Sequence, residues 1–396
     1  MTRSMERPMK IAIAAAAVGL VLGFQNCGQF TVDPSFSGQF GSLGSTPSAG
    51  AVLVPNTDKT DTSCPSNSAY DACIIKQNPI AAGGTVLSND TTARRAQVAS
   101  QSFYGVKLTS LGGSGKLENS TLSVRSVNGM QADAVPTALK VAPGTAGSSS
   151  FEQANVYYWM NRAAEYFDAR TKGSLPAKAK GIKVVVDDTI TGYETATNTI
   201  RLKMTDSSQT VAWSGDIAVH LFGLANLMLA NPNGWTTLAA AKHQTCNAID
   251  KGCCATLSGC GNAIRFGVGE YFAASMFPDH TRIGDAIVNT GNPQIIAGVA
   301  RDVASLSSNT ASQIFTNSSG NAQAMGLLYA AIWWQVRAAS GQSSAEIDRI
   351  FLEHLSLIDG SDDFRTAIAK AKTVDARLYG GSHSAQFDAQ LTARGL

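Results

Sequence analysis

The sequence predicts an α+β fold: a small β-layer followed by a helical lobe, built around one buried helix at residues 214–229. Three observations predict it. The stretch SGDIAVHLFGLANLML is apolar on nearly every side of a helix, the mark of a helix buried in a core. Residues 101–141 show loose period-two alternation broken by Gly-Gly and Asn-Gly turns. From residue 151 onward apolar residues recur at helical spacing over several long segments.

In chain order, residues 1–26 read as an export signal. Arg3, Arg7 and Lys10 form a positive leader, and Ile11 to Phe24 is an apolar run of 14, short for a membrane span. The run ends in Phe-Gln-Asn-Cys-Gly, which resembles a lipobox and makes Cys27 the lipidated residue. The residues before Cys27 are bulkier than usual, as in a variant of some predatory Gram-negative bacteria. No Asp follows Cys27, which favours the outer membrane within the cell envelope. Residues 27–100, rich in Gly, Ser, Thr, Pro, Asn and Asp, read as a flexible tether unable to bury a core.

Six cysteines remain beyond Cys27, an even number suited to an oxidising compartment. Cys64 is expected to pair with Cys73. Cys246, Cys253, Cys254 and Cys260 allow three connectivities. The one joining adjacent Cys253 and Cys254 is strained, which leaves two. A zinc knot fits less well, because the spacing lacks CxxC.

FYGVKLTSL, KLENSTLSVRSV and TALKVA are the expected strands of a small β region at 101–150, and PGTAGSSS at 143–150 marks a boundary before the main domain, 151–396. Phe151 to Thr171 is a helix, and IKVVV (182–186) and ATNTIRLKM (196–204) are strands. In the central helix Ser214 is a fit N-cap and Asp216 suits the positive end of the helix dipole. Its one polar anomaly on the apolar faces is His220. Residues 230–261 form a polar, cysteine-bearing insertion. Helices follow at 262–278, 321–338, 345–358 and 362–379. Formal net charge is only +2 and no Lys/Arg-rich run is present, so nucleic acid is not an expected partner.

Four segments resemble, in the same order, those of gluzincin metallopeptidases, the thermolysin- and fungalysin-like families. Tyr157 to Phe167 (YYWMNRAAEYF) resembles the long helix before their catalytic half. Ile217 to Leu224 (IAVHLFGL) is similar to their zinc helix, D-V-V-A-H-E-L-G-H. His220 matches the first ligand, whereas Leu221 stands at the general base and Leu224 at the second ligand. Phe266 to Ser275 (FGVGEYFAAS) is similar to their E-G-x-x-D-Y-F-A-A-S. Phe266 stands at the third ligand, and Glu270 at the acid that orients the first ligand. Asn321 to Ala338 resembles a further helix, with Gln323 in place of a His.

The resemblance implies a metallopeptidase-like fold stripped of its chemistry: no catalytic residue, no metal and no cofactor, with His220 and Glu270 kept as a hydrogen-bonded relic pair. The bland alternative leaves Glu270 facing solvent. It also implies a sheet edge for backbone pairing with a peptide or protein ligand, assigned to Asn198, Thr199, Ile200, Arg201 and Leu202. The expected protein is thus a lipid-anchored envelope protein, held to the membrane through Cys27, that binds without cleaving. Two alternatives stand beside it: a purely structural envelope lipoprotein, and a hydrolase using an unrecognised site.

Overall fold

The computed structural model describes residues 70–79, 87–88, 91–100, 104–141, 149–177, 180–206, 209–235, 259–279, 281–285, 293–339 and 344–396. In chain order these form β1 (Ala72–Ile74), α1 (Thr91–Ser100), β2 (Tyr104–Val106), β3 (Leu122–Ser126), the one-turn α2 (Pro136–Leu139), α3 (Ser150–Arg170), β4 (Ile182–Asp188), β5 (Gly192–Glu194), β6 (Thr199–Asp206) and β7 (Gln209–Thr210). Then come α4 (Gly215–Ala230), α5 (Gly259–Met276), β8 (Ile295–Ile296), β9 (Val299–Ala300), α6 (Ala311–Ser318), α7 (Ala322–Ala339), α8 (Ser344–His354), α9 (Phe364–Tyr379) and α10 (Ser384–Ala393). The fold is α+β, as expected. No described helix is long and apolar enough to cross a membrane.

The main sheet runs β3-β4-β6-β5, with β7 added to β6. β3, β4 and β6 are parallel; β5 returns antiparallel on β6. Alternation gives the sheet one apolar face: Leu122, Val124, Ile182, Val184, Val186, Ile200 and Leu202 are fully buried. That face meets the helices, with α3 against β3 and α4 against β5 and β6. Because β3 pairs with β4, the boundary expected at 143–150 does not separate two units; residues before it and after it build one sheet.

Three other expectations need correction here. The expected tether extends too far. Residues 28–69 lie outside the described residues, but Ala72, Cys73, Ile74 and Ile75 are buried, and β1 pairs with β2. Polar groups deep in the core fix this segment. Asn155 Oδ1 accepts from the Ile75 N–H at 3.0 Å, and Trp159 Nε1 donates to the Ile75 carbonyl at 2.9 Å. A composition-based reading cannot see such partners 80 residues away. Second, TALKVA is no strand. Pro136 stands in the first turn of a helix, where its missing N–H is harmless, and the turn closes at Leu139. Third, Asn198–Leu202 is not a sheet edge. Thr199 to Leu202 pair with β4 on one side, and Thr199 to Arg201 pair with β5 on the other. The short hairpin Gly192–Glu194, too brief to register as a strand pattern, covers them.

Helices α4, α5 and α7 form the centre of the lobe, and glycines set their spacing. A Cβ on Gly223 would lie 2.5 Å from Phe272 Cγ, one on Gly267 2.5 Å from the Gly326 carbonyl oxygen, and one on Gly326 2.6 Å from the Ala263 carbonyl oxygen. Any side chain there would push the helices apart. At the far side of α5, Asp348 of α8 is wholly buried and ties four helices together. Its Oδ1 accepts from Tyr271 (2.8 Å), Arg337 Nε (3.1 Å) and Ser275 (3.5 Å); its Oδ2 accepts from Tyr166 (2.7 Å) and Arg170 Nε (3.1 Å). Burial alone would raise its pKa, but the two guanidinium groups outweigh burial and hold the carboxyl below its ordinary value.

Candidate functional site around His220

The site begins with how α4 starts. Ser214 occupies the N-cap position in an extended conformation, but its side chain caps nothing, contrary to expectation. The Gln77 carbonyl accepts instead from the N–H groups of Gly215 and Asp216. Gln77 holds a left-handed backbone (φ 54°) to present that oxygen. Asp216 is fully buried in the first turn, where Oδ2 accepts from Asn78 Nδ2 at 2.7 Å and from the Gly284 N–H at 3.3 Å. Burial pushes the Asp216 carboxyl up to about 6. Its hydrogen bonds to Asn78 and Gly284 pull the other way, and the nearby Asp285 adds to the rise.

His220 stands one turn further along α4 and is buried. Its Nδ1 lies 3.0 Å from Glu270 Oε1, at hydrogen-bond distance but outside hydrogen-bond angle. The two residues expected as a pair are therefore neighbours, and Glu270 is wholly buried rather than facing solvent. Helix α5 can come this close because position 269 is glycine; a Cβ there would sit 2.6 Å from His220 Nδ1. Phe266, one turn before Glu270, presents its ring to the imidazole edge-on, with centroids 5.1 Å apart. Leu221 is buried, and Leu224, one turn beyond His220, is partly buried. Gln323 lies in the first turn of α7, partly buried.

Sequence reasoning missed the third member. Arg301, just past β9, is almost fully buried, and donates through Nε (3.0 Å) and Nη2 to Glu270 Oε1 and through Nη1 to Gln294 Oε1 (2.8 Å). Its guanidinium carbon also lies 5.3 Å from the centre of the Phe266 ring. The residues around Arg301 carry little signal of a buried role. Only the polar pair Gln294 and Arg301, flanking a two-strand hairpin, hints at it.

The charge states follow. Burial lowers the His220 pKa and outweighs the pull of Glu270, so the imidazole is neutral at pH 7. Burial would raise Glu270, but Arg301 and His220 overcome it, so the carboxyl is ionised. All polar contacts fall on Oε1; the buried Oε2 has no hydrogen-bond partner among the described residues, and neither has Gln294 Nε2. Among the described residues no hydroxyl or thiol is bonded to His220, and no group of three His, Cys, Asp or Glu side chains is placed to hold a metal ion.

The cysteines are only partly visible. Cys73 is buried in β1 and disulfide-bonded, but Cys64 lies outside the described residues, as do Cys27, Cys246, Cys253 and Cys254. Cys260 is a buried thiol rather than half of a disulfide, which corrects the expectation for that residue. It sits in the first turn of α5 among core residues.

Compared with known proteins, the chain matches no family model and no curated protein.

Proposed function

We propose that the protein is a lipid-anchored envelope protein on a metallopeptidase-like scaffold that binds a peptide or protein without cleaving it. One observation supports this most: at the point where a catalytic zinc would sit, His220 meets Phe266, and the carboxylate behind it is held by Arg301. Catalytic zinc takes three protein ligands and a water. Leu221, Leu224 and Phe266 offer no lone pair, and a fixed guanidinium beside Glu270 opposes a dication by simple repulsion. Filling such a site with Leu and Phe also avoids leaving polar ligands buried and unpaired.

For ligand binding, the candidate strand moves from Asn198–Leu202 to β5. β5 pairs with β6 on one side only among the described strands, and it packs beside α4. A peptide could add there as a further strand, with main-chain hydrogen bonds supplying affinity.

The test is metal content. The full chain carrying Cys27→Ser would be produced in a periplasm, purified without chelator, and assayed for bound zinc and casein cleavage. Less than about a tenth of an equivalent of zinc, with no cleavage, is expected. About one equivalent, removable by chelator together with activity, would overturn the reading.

A further inference from the structure

The sheet face turned away from the helices has a chemistry of its own. Arg125 on β3 and Lys183 on β4 are exposed, Lys203 on β6 is half-buried, and the three alternate with the buried core residues of their strands. Lys180, just before β4, is also exposed. Among the described residues none of these four side chains has an ion-pair partner. Most described cations elsewhere on the surface are paired, such as Lys107 with Asp71, Lys116 with Asp133 and Lys372 with Asp388. Of the described acids beside this face, Asp188 and Glu194 both hold Arg201. The three cations on the strands spread over about 13 Å along them and about 10 Å across them.

At one end of the same three parallel strands the surface turns apolar. Val127 follows β3 and Ile190 follows β4; they are 49% and 53% exposed. Unpaired cations spread over a face with large apolar side chains at its rim complement a bilayer surface, where headgroups are anionic and acyl chains begin just below. An acidic polymer would satisfy the cations but gives no reason for the rim.

We infer that the outer face of the β3-β4-β6 sheet docks on an anionic membrane surface, with Arg125, Lys180, Lys183 and Lys203 at the headgroups and Val127 and Ile190 at the acyl boundary. The inference rests on the envelope reading only for which bilayer is met. It is tested with Cys27→Ser, so that a failure of the anchor assignment cannot imitate a failure of the face.

The test is co-sedimentation of the full Cys27→Ser chain with vesicles of phosphatidylcholine alone or with one third phosphatidylglycerol. Arg3, Arg7 and Lys10 are common to every variant, so the comparison between variants decides. Arg125→Ala/Lys183→Ala/Lys203→Ala, changes outside the core whose thermal midpoint should match the parent, is expected to weaken anionic-vesicle binding at least about tenfold, because each cation near such a surface is worth roughly fivefold. Val127→Asn/Ile190→Asn should weaken it separately. Equal binding by the parent and the triple variant would overturn the inference. So would binding of soluble heparin as tight as vesicle binding, together with no effect of Val127→Asn/Ile190→Asn, which would assign the face to an acidic polymer.

Discussion

Two buried charge clusters share helix α5 and differ in how completely they are satisfied. Tyr271 and Ser275 turn to Asp348, where five donors reach both carboxylate oxygens. Glu270, the residue next to Tyr271, turns to His220 and Arg301, where one oxygen takes every contact and the other takes none. The Asp348 cluster joins side chains from α3, α5, α7 and α8 and has the saturation expected of a structural clasp, since each buried acceptor left empty costs about 1–3 kcal/mol. The His220 cluster joins fewer elements, holds a neutral imidazole and leaves buried capacity unused. Burial and charge are common to both; what separates the clasp from the looser cluster is whether the valences are filled.

The comparison is broken most forcefully at Asp348. Asp348→Ala strands Arg170 and Arg337 in the core and should destabilise the protein by about 3–5 kcal/mol in denaturant titration. A loss near 1 kcal/mol would mean that the cluster is not a clasp. Next in size, Arg301→Met leaves Glu270 buried without its cation and should cost about 3 kcal/mol, whereas Arg301→Met with Glu270→Leu should recover to within about 1 kcal/mol of the parent. Failure of the double variant to recover would show that the His220 cluster is as deeply structural as the Asp348 one.

The smallest effect is read through pH. Asp216 titrates near 6 in the folded chain and near 3.8 when unfolded, so its protonated form favours folding. That contribution is complete below the unfolded value and is lost as pH rises through about 4 to 6. Asp216→Asn, which cannot ionise, should therefore gain about 2–3 kcal/mol relative to the parent between pH 4 and pH 7, in urea titrations run at both values. A difference independent of pH would show that Asp216 stays ionised throughout.

Much of the lobe was legible because periodicity is a local property. The helix expected at 151–171 is Ser150–Arg170, the one at 214–229 is Gly215–Ala230, and the one at 321–338 is Ala322–Ala339. His220 and Glu270 were placed together from two helices 50 residues apart, on a resemblance rather than on spacing. What escaped depends on distant partners. Residues 72–78 look like linker until Asn155 and Trp159 claim their backbone. Three-residue strands such as Gly192–Glu194 are too short to show alternation, which is why Asn198–Leu202 was mistaken for an edge. Arg301 comes from a hairpin with no pattern of its own, and a lone arginine in sequence reads as surface.

The helix contacts bear on how relatives of this protein could be recognised. A metal-ligand motif is the usual handle on metallopeptidase folds, and on the function proposed above its positions here are held by Leu221, Leu224 and Phe266, residues that any apolar helix can hold. Four of the positions at which α4, α5 and α7 leave room for no side chain are Gly223, Gly267, Gly269 and Gly326. Apolar core residues can be exchanged in concert while a helix crossing is kept, but a glycine at van der Waals contact with another helix has no substitute. For chains that share this packing, the durable signature is the spacing of those four glycines, and a profile weighted on them would reach further than one weighted on zinc ligands.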